Sequence, residues 1–215
     1  MTHVFKSRTV SFMISAIPLA LGTMLLSASP SFAKIDTGAN VSDMVVKTAS
    51  GDVHNLSDFA GKRVVLEWTN HGCPYVQKHY TTNNMQNLQK LATADDDTVW
   101  LSIISSAEGQ QGHLTGPEAV LKNIKRGAEP SAVILDPKGN MGRAFEAKTT
   151  PHMYIIDAEQ TLVYQGAIDD NRSANPKTVA GAKNYVTAAL SDLDAGRAVQ
   201  EPTTSPYGCS VKYKG

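Results

Sequence analysis

The chain has 215 residues, with 20 basic and 20 acidic side chains in balance and only two cysteines. That neutrality gives no electrostatic case for nucleic acid or an anionic membrane surface. No apolar run beyond the first 33 residues approaches the roughly 20 needed to span a bilayer.

The first 33 residues read as a secretory signal: Lys6 and Arg8, an apolar stretch from Thr9 to Leu26, then "SASPSFA" with small residues at Ser31 and Ala33. An uncleaved anchor is the alternative, but Pro18, Gly22 and the small-residue exit count against it. Cleavage after Ala33 leaves 182 residues with 18 basic against 20 acidic, a net charge of −2. The expected organisation is a signal over 1–33, one domain over 34–197 and a tail over 198–215. The expected location is periplasmic or secreted, with no stable membrane association after cleavage.

Along the chain, strand-like and helix-like signals alternate. "RVVLEW" (63–68), "TVWLSII" (98–104) and "SAVILD" (131–136) are short β-branched apolar runs. "HMYIID" and "TLVYQGAID" flank a short turn and predict an antiparallel hairpin. Helices are predicted from Pro74 to about Ala92, Pro117 to about Lys125 and Asn140 to Phe145. A last helix is predicted with Asn175 as cap and Pro176 in its first turn, with Val179, Ala182, Val186, Ala189 and Leu193 on one face. The polar loop over 105–116 carries His113, which either reaches in at the border of the active face or is solvated, the second favoured. Asp95, Asp96 and Asp97 read as a solvated turn with no metal role. Trp68 and Tyr75 read as packing groups. The pattern predicts an α/β sandwich with a mixed sheet.

Cys73 immediately precedes Pro74, at a strand-to-helix junction. If Pro74 is the first helical residue, the unpaired amides and positive dipole end of the helix meet the Cys73 sulfur. Cysteines in such settings are nucleophiles near neutral pH. The alternative is an inert buried thiol or half of a static disulfide.

"VVLEWTNHGCPYV", "TTPHMYIID" and "NLSDFAGKRVVLEW" make nearly all of the chain after residue 33 resemble the thioredoxin-like superfamily, in its peroxiredoxin-like redoxin subgroup. The resemblance implies a three-layer sandwich with a central mixed β-sheet flanked by helices. It also implies a cis Thr150–Pro151 bond packed against Cys73, and a partner's chain held by the backbone beside that proline. Thr150, Pro151, His152, Asn70, His71 and Pro74 are then candidate substrate-binding residues. His152 is equally readable as a packed strand histidine, and His71 as an exposed loop residue. Glu67 falls where the family carries a buried acid beneath the site, either a proton shuttle or an outward-facing residue on an edge. Asn70 is a candidate donor to the sulfur.

The chain departs from the family in two places. The second position of C-x-x-C is Val76, leaving one local cysteine, and Asn70 and Leu66 stand where peroxiredoxins carry threonine and proline. Disulfide exchange is therefore the expected chemistry rather than peroxide reduction.

Cys209 lies in the tail. The 13 residues from Gly196 can span up to roughly 43 Å, against a domain radius of about 16 Å, so Cys209 can reach Cys73. A staple and a redox-active pair both remain open, the second favoured. In that reading Cys73 attacks a disulfide in a protein partner, Cys209 resolves the mixed disulfide, and an external thiol reductant reopens the bridge. No cofactor is called for. The rivals are a thiol peroxidase, a copper-binding module using Cys73 with His71, His79 or His152, and a silent domain with a structural bridge.

Overall fold

The computed structural model describes residues 34–215. The signal reading of residues 1–33 lies outside the described residues. Among the described residues, no helix is long and apolar enough to cross a membrane.

The chain opens with a small antiparallel hairpin of β1 (Val45–Lys47) and β2 (Val53–Asn55), followed by a 3₁₀ turn over Leu56–Phe59 that buries Leu56. Then come β3 (Arg63–Trp68), α1 (Pro74–Thr81), α2 (Asn84–Ala92) and β4 (Thr98–Ile104). Next are α3 (Gly116–Lys125), β5 (Ala132–Leu135), α4 (Asn140–Ala144) and β6 (Thr149–Thr150). The chain continues through β7 (His152–Ile156), β8 (Leu162–Gly166), α5 (Tyr185–Asp194) and β9 (Cys209–Ser210).

Five strands form the central sheet in the order β5-β4-β3-β7-β8. β3 runs parallel to β4 and antiparallel to β7, so the sheet is mixed, and β7 and β8 form the predicted hairpin. β3 is central and covered on both faces, which is why its sequence is apolar almost throughout. Val64, Leu66 and Trp68 point to one layer with Phe145, Tyr154 and Leu162. Val65 points to the other, with Val76, Tyr80, Met85 and Leu88 of α1 and α2 and Val186 and Ala189 of α5. This is the thioredoxin-like α/β sandwich that the resemblance implies.

Two sequence expectations need correction. The helix predicted over 74–92 is two helices. Thr81 and Thr82 turn their hydroxyls back onto the carbonyls of Gln77 (2.8 Å) and Lys78 (2.9 Å), and Asn83 takes a left-handed conformation at φ 57°. Asparagine tolerates that conformation better than most residues. The last helix begins later than predicted. Asn175 caps, by accepting from the Lys177 amide at 3.0 Å, but only a 3₁₀ turn over Pro176–Thr178. Asn184, accepting from Thr187 at 3.0 Å, caps the true helix. Val179 and Ala182 therefore lie ahead of the helix rather than on its face. The segment around Cys209 forms a strand antiparallel to β6, in register Thr149 with Ser210 and Thr150 with Cys209.

Candidate functional site

Cys73 is the N-cap of α1, in extended conformation, with Pro74 in the first helical position as predicted. The local sequence dictates this: proline lacks the amide that would be orphaned there and its fixed φ suits a helix start. The sulfur, however, takes no hydrogen bond from the first-turn amides. It points across to the cis Thr150–Pro151 bond, with Sγ 3.1 Å from the Thr150 carbonyl oxygen and 2.7 Å from Cys209 Sγ. The two sulfurs are therefore within easy reach of a disulfide. Cys73 is fully buried, with Cys209 of β9 packed against it, and Cys209 is half-buried. Burial first, and then the hydrogen bond with Cys73, push the Cys209 thiol up to about 11.

The tail is held on both sides of Cys209. Upstream, the buried Tyr207 ring lies edge-on to Tyr75, with 5.9 Å between centroids. Its hydroxyl donates to Asp169 Oδ1 and accepts from Lys78 Nζ at 3.2 Å. Downstream, the Val211 amide donates to the Lys148 carbonyl at 3.1 Å and Tyr213 Oη to the Ala147 carbonyl at 2.8 Å. Gly208 makes the crossing possible. Its φ is +135°, and a Cβ there would sit 2.1 Å from the Thr150 carbonyl oxygen.

Glu67 lies on the central strand, so the edge reading does not hold. Fully buried, its carboxyl accepts from Tyr80 Oη (2.7 Å), Gln89 Nε2 (3.2 Å), Trp100 Nε1 (3.0 Å) and Ser102 Oγ (2.9 Å). One side chain thereby ties α1, α2 and β4 to the strand leading into the site. Trp68 is a buried packing group whose indole donates to Ser105 Oγ at 3.0 Å.

Asn70 does not face the sulfur. Its amide donates to the Gln111 carbonyl at 3.1 Å and its oxygen accepts from the Gly72 amide at 2.9 Å. The His71 pKa is lowered by burial and then by the positive charges of Lys122 and Arg126, so the ring is neutral at neutral pH. His152 is buried. Its Nδ1 accepts from the Lys148 amide at 3.3 Å and lies 2.9 Å from Tyr154 Oη, and burial lowers its pKa to about 3. His113 lies half-buried with Nδ1 3.1 Å from the Ser106 carbonyl oxygen. Among the described residues, no three of His, Cys, Asp and Glu converge as a metal ion would need.

Sequence reasoning missed Gln111, Tyr207, Lys78 and Asp169. Gln111 Nε2 donates to the Gly72 carbonyl at 3.1 Å, laying the 105–116 loop against the turn that precedes Cys73. Lys78 was hidden because a lysine in an amphipathic helix reads as solvated, yet its side chain is buried and donates to the carbonyls of Asn171 (2.8 Å) and Ser173 (3.0 Å).

A family model described as Redoxin matches residues 27–185. The match includes Glu67, Cys73 and Pro151 and stops before Cys209. Among curated proteins, none matches the sequence. Two solved structures are similar at a TM-score of 0.68. One is a hypothetical protein of Sinorhizobium meliloti, 21% identical over 85% of this chain and 97% of that chain. The other is an uncharacterized conserved protein of Geobacillus kaustophilus, 24% identical over 84% and 93%. At these identities the likeness is one of fold.

Proposed function

The chain belongs to the Redoxin family, and on that premise we propose that it is a thiol-disulfide oxidoreductase in which Cys73 is the nucleophile and Cys209 the resolving thiol. The reading is carried by one observation, the 2.7 Å between two sulfurs 136 positions apart.

The steps balance as follows. With the tail displaced, the Cys73 thiolate attacks one sulfur of a partner's disulfide. A Cys73–partner bond forms, the partner's S–S bond breaks, and its other sulfur leaves as thiolate. The tail then returns and the Cys209 thiolate attacks Cys73 Sγ, releasing the second partner thiolate and forming the internal disulfide. An external dithiol reopens it and is itself oxidised, so two electrons pass from that reductant to the partner. Run in reverse, the same residues oxidise a dithiol. Thr150 and Pro151 hold the partner's backbone as they hold the tail, Pro74 starts the helix that presents Cys73, and Glu67 fixes the strand and helices around it. Asn70 and His71 shape the turn, and His152, the first residue of β7, is packed against Tyr154 beside Pro151. The work takes place in the periplasm or outside the cell, on a chain beginning after Ala33.

The test is to trap the intermediate. Cys209→Ser mixed with an oxidised protein substrate should accumulate a mixed disulfide through Cys73, while the unmodified chain turns over and Cys73→Ser does nothing. Equal behaviour of Cys73→Ser and the unmodified chain would sink the proposal.

A further inference from the structure

We infer that the tail occupies the partner's own seat, and that the site therefore selects a partner segment of the form Tyr-Gly-Cys. This rests on the reading of Cys73 as nucleophile. Cys73 is fully buried and its approach is covered by β9, whose backbone is paired with Thr149 and Thr150. Any cysteine that reaches Cys73 beside Pro151 must take the place of β9, and it meets the same walls.

Those walls are specific. Two residues before the cysteine lies a pocket closed by Tyr75, with Lys78, His79 and Asp169 buried at its base. Asp169 offers an acceptor and Lys78 a donor to the one phenolic hydroxyl, with His79 Nε2 3.4 Å away. A phenol both donates and accepts, so tyrosine satisfies both groups where phenylalanine or alanine satisfies neither. Lys78 and Asp169 are themselves 3.4 Å apart, which keeps the pocket's charges paired when it is empty.

One residue before the cysteine, the backbone passes over the Thr150 carbonyl. A Cβ there would come within 2.1 Å of that oxygen and 2.8 Å of its carbon, and both are backbone atoms beside Pro151. Only glycine fits. The seat therefore reads two positions besides the reacting sulfur, one for a phenol and one for the lack of a side chain.

The experiment uses the full chain carrying Cys209→Ser and Tyr207→Ala, which removes the resolving thiol and vacates the pocket. Blocked pentapeptides Pro-Tyr-Gly-Cys-Ser, Pro-Ala-Gly-Cys-Ser and Pro-Tyr-Ala-Cys-Ser are supplied as disulfides with a nitrobenzoate thiol. Cys73 attacks the peptide sulfur, the peptide–aryl S–S bond breaks and the coloured aryl thiolate leaves. The second-order rate constant should be at least tenfold higher for the Tyr-Gly-Cys peptide than for either other peptide. Equal rates for all three overturn the inference while leaving Cys73 a nucleophile. Failure of every peptide, with Cys73→Ser indistinguishable, overturns the underlying reading instead. Cys209→Ser alone, in which the tail competes, should give the same ranking at lower rates, and it decides the matter if the double variant does not fold.

Discussion

Cys209 pairs backbone to backbone with Thr150 and brings its sulfur to 2.7 Å from Cys73. Tyr207, Val211 and Tyr213 add contacts to the domain that involve neither sulfur. Closing the bridge adds a bond to a geometry already made. In a chain-entropy view, closing 136 positions stabilises by about 5 kcal/mol.

Access to Cys73 should depend on the tail's grip. In reduced Cys209→Ser, replacing Tyr207 by Phe removes the hydroxyl's bonds to Asp169 and Lys78, a loss of about 1–2 kcal/mol. Iodoacetamide should then label Cys73 roughly tenfold faster. An unchanged rate would mean that the tail does not gate the sulfur.

Gly208→Ala should prevent the crossing over Thr150. The equilibrium for forming the Cys73–Cys209 disulfide against glutathione should fall by at least about tenfold, roughly 1.4 kcal/mol. Gly181→Ala is the control, since a Cβ there meets open space.

Resolution should be base-limited. In the docked tail the Cys209 thiol is pushed up to about 11, first by burial and then by its hydrogen bond with Cys73, and resolution proceeds as the tail returns to that seat. The attacking species is the thiolate, so release of glutathione from a Cys73–glutathione adduct should accelerate about tenfold per pH unit from 7 towards 11. A plateau near pH 8.5 would contradict the docked geometry as the reacting one.

Acid should destabilise the fold between pH 6.5 and 3. His79 and His152 both have pKa values lowered to about 3, each first by burial and then by a neighbouring lysine, Lys78 and Lys148 respectively. Asp169, 3.9 Å from His79 Nε2, pulls the other way and is outweighed. Across this window the unfolded chain binds protons that the folded chain does not, so stability falls as pH falls, by up to roughly 1.4 kcal/mol per pH unit for each ring. Urea midpoints at successive pH values measure it, and a flat profile would refute it.

Glu67→Gln should destabilise by about 2–3 kcal/mol, because an amide nitrogen must confront donors that now meet an acceptor. Urea unfolding tests this alongside the exchange rate. Unchanged stability with a lost pH-dependent rate would assign Glu67 to proton transfer instead of anchoring.

The sheet, its hairpin and the helix start at Cys73 were legible because each rests on a local rule: β-branched runs make strands, and proline suits the first turn of a helix. The breaks at Asn83 and in the 179–184 segment were not. They turn on side-chain bonds to the backbone, which threonine and asparagine can make in several conformations. Reach showed that Cys209 could meet Cys73, but not that Tyr207 anchors it. That anchor depends on Lys78 and Asp169, 91 positions apart in sequence, being buried side by side. The sulfur's approach to Thr150 and Pro151 followed from the resemblance, whereas its lack of a hydrogen bond from the first-turn amides did not.

Residues 197–208 tether Cys209 to the body after β9 lets go. A released Cys209 would wander within a sphere set by that leash, at an effective concentration of order millimolar. Soluble disulfides in the micromolar range would meet a seat already claimed by its own resident. The covering strand would thus act as a filter on traffic, passing molecules that match the groove and turning away those that merely collide with it.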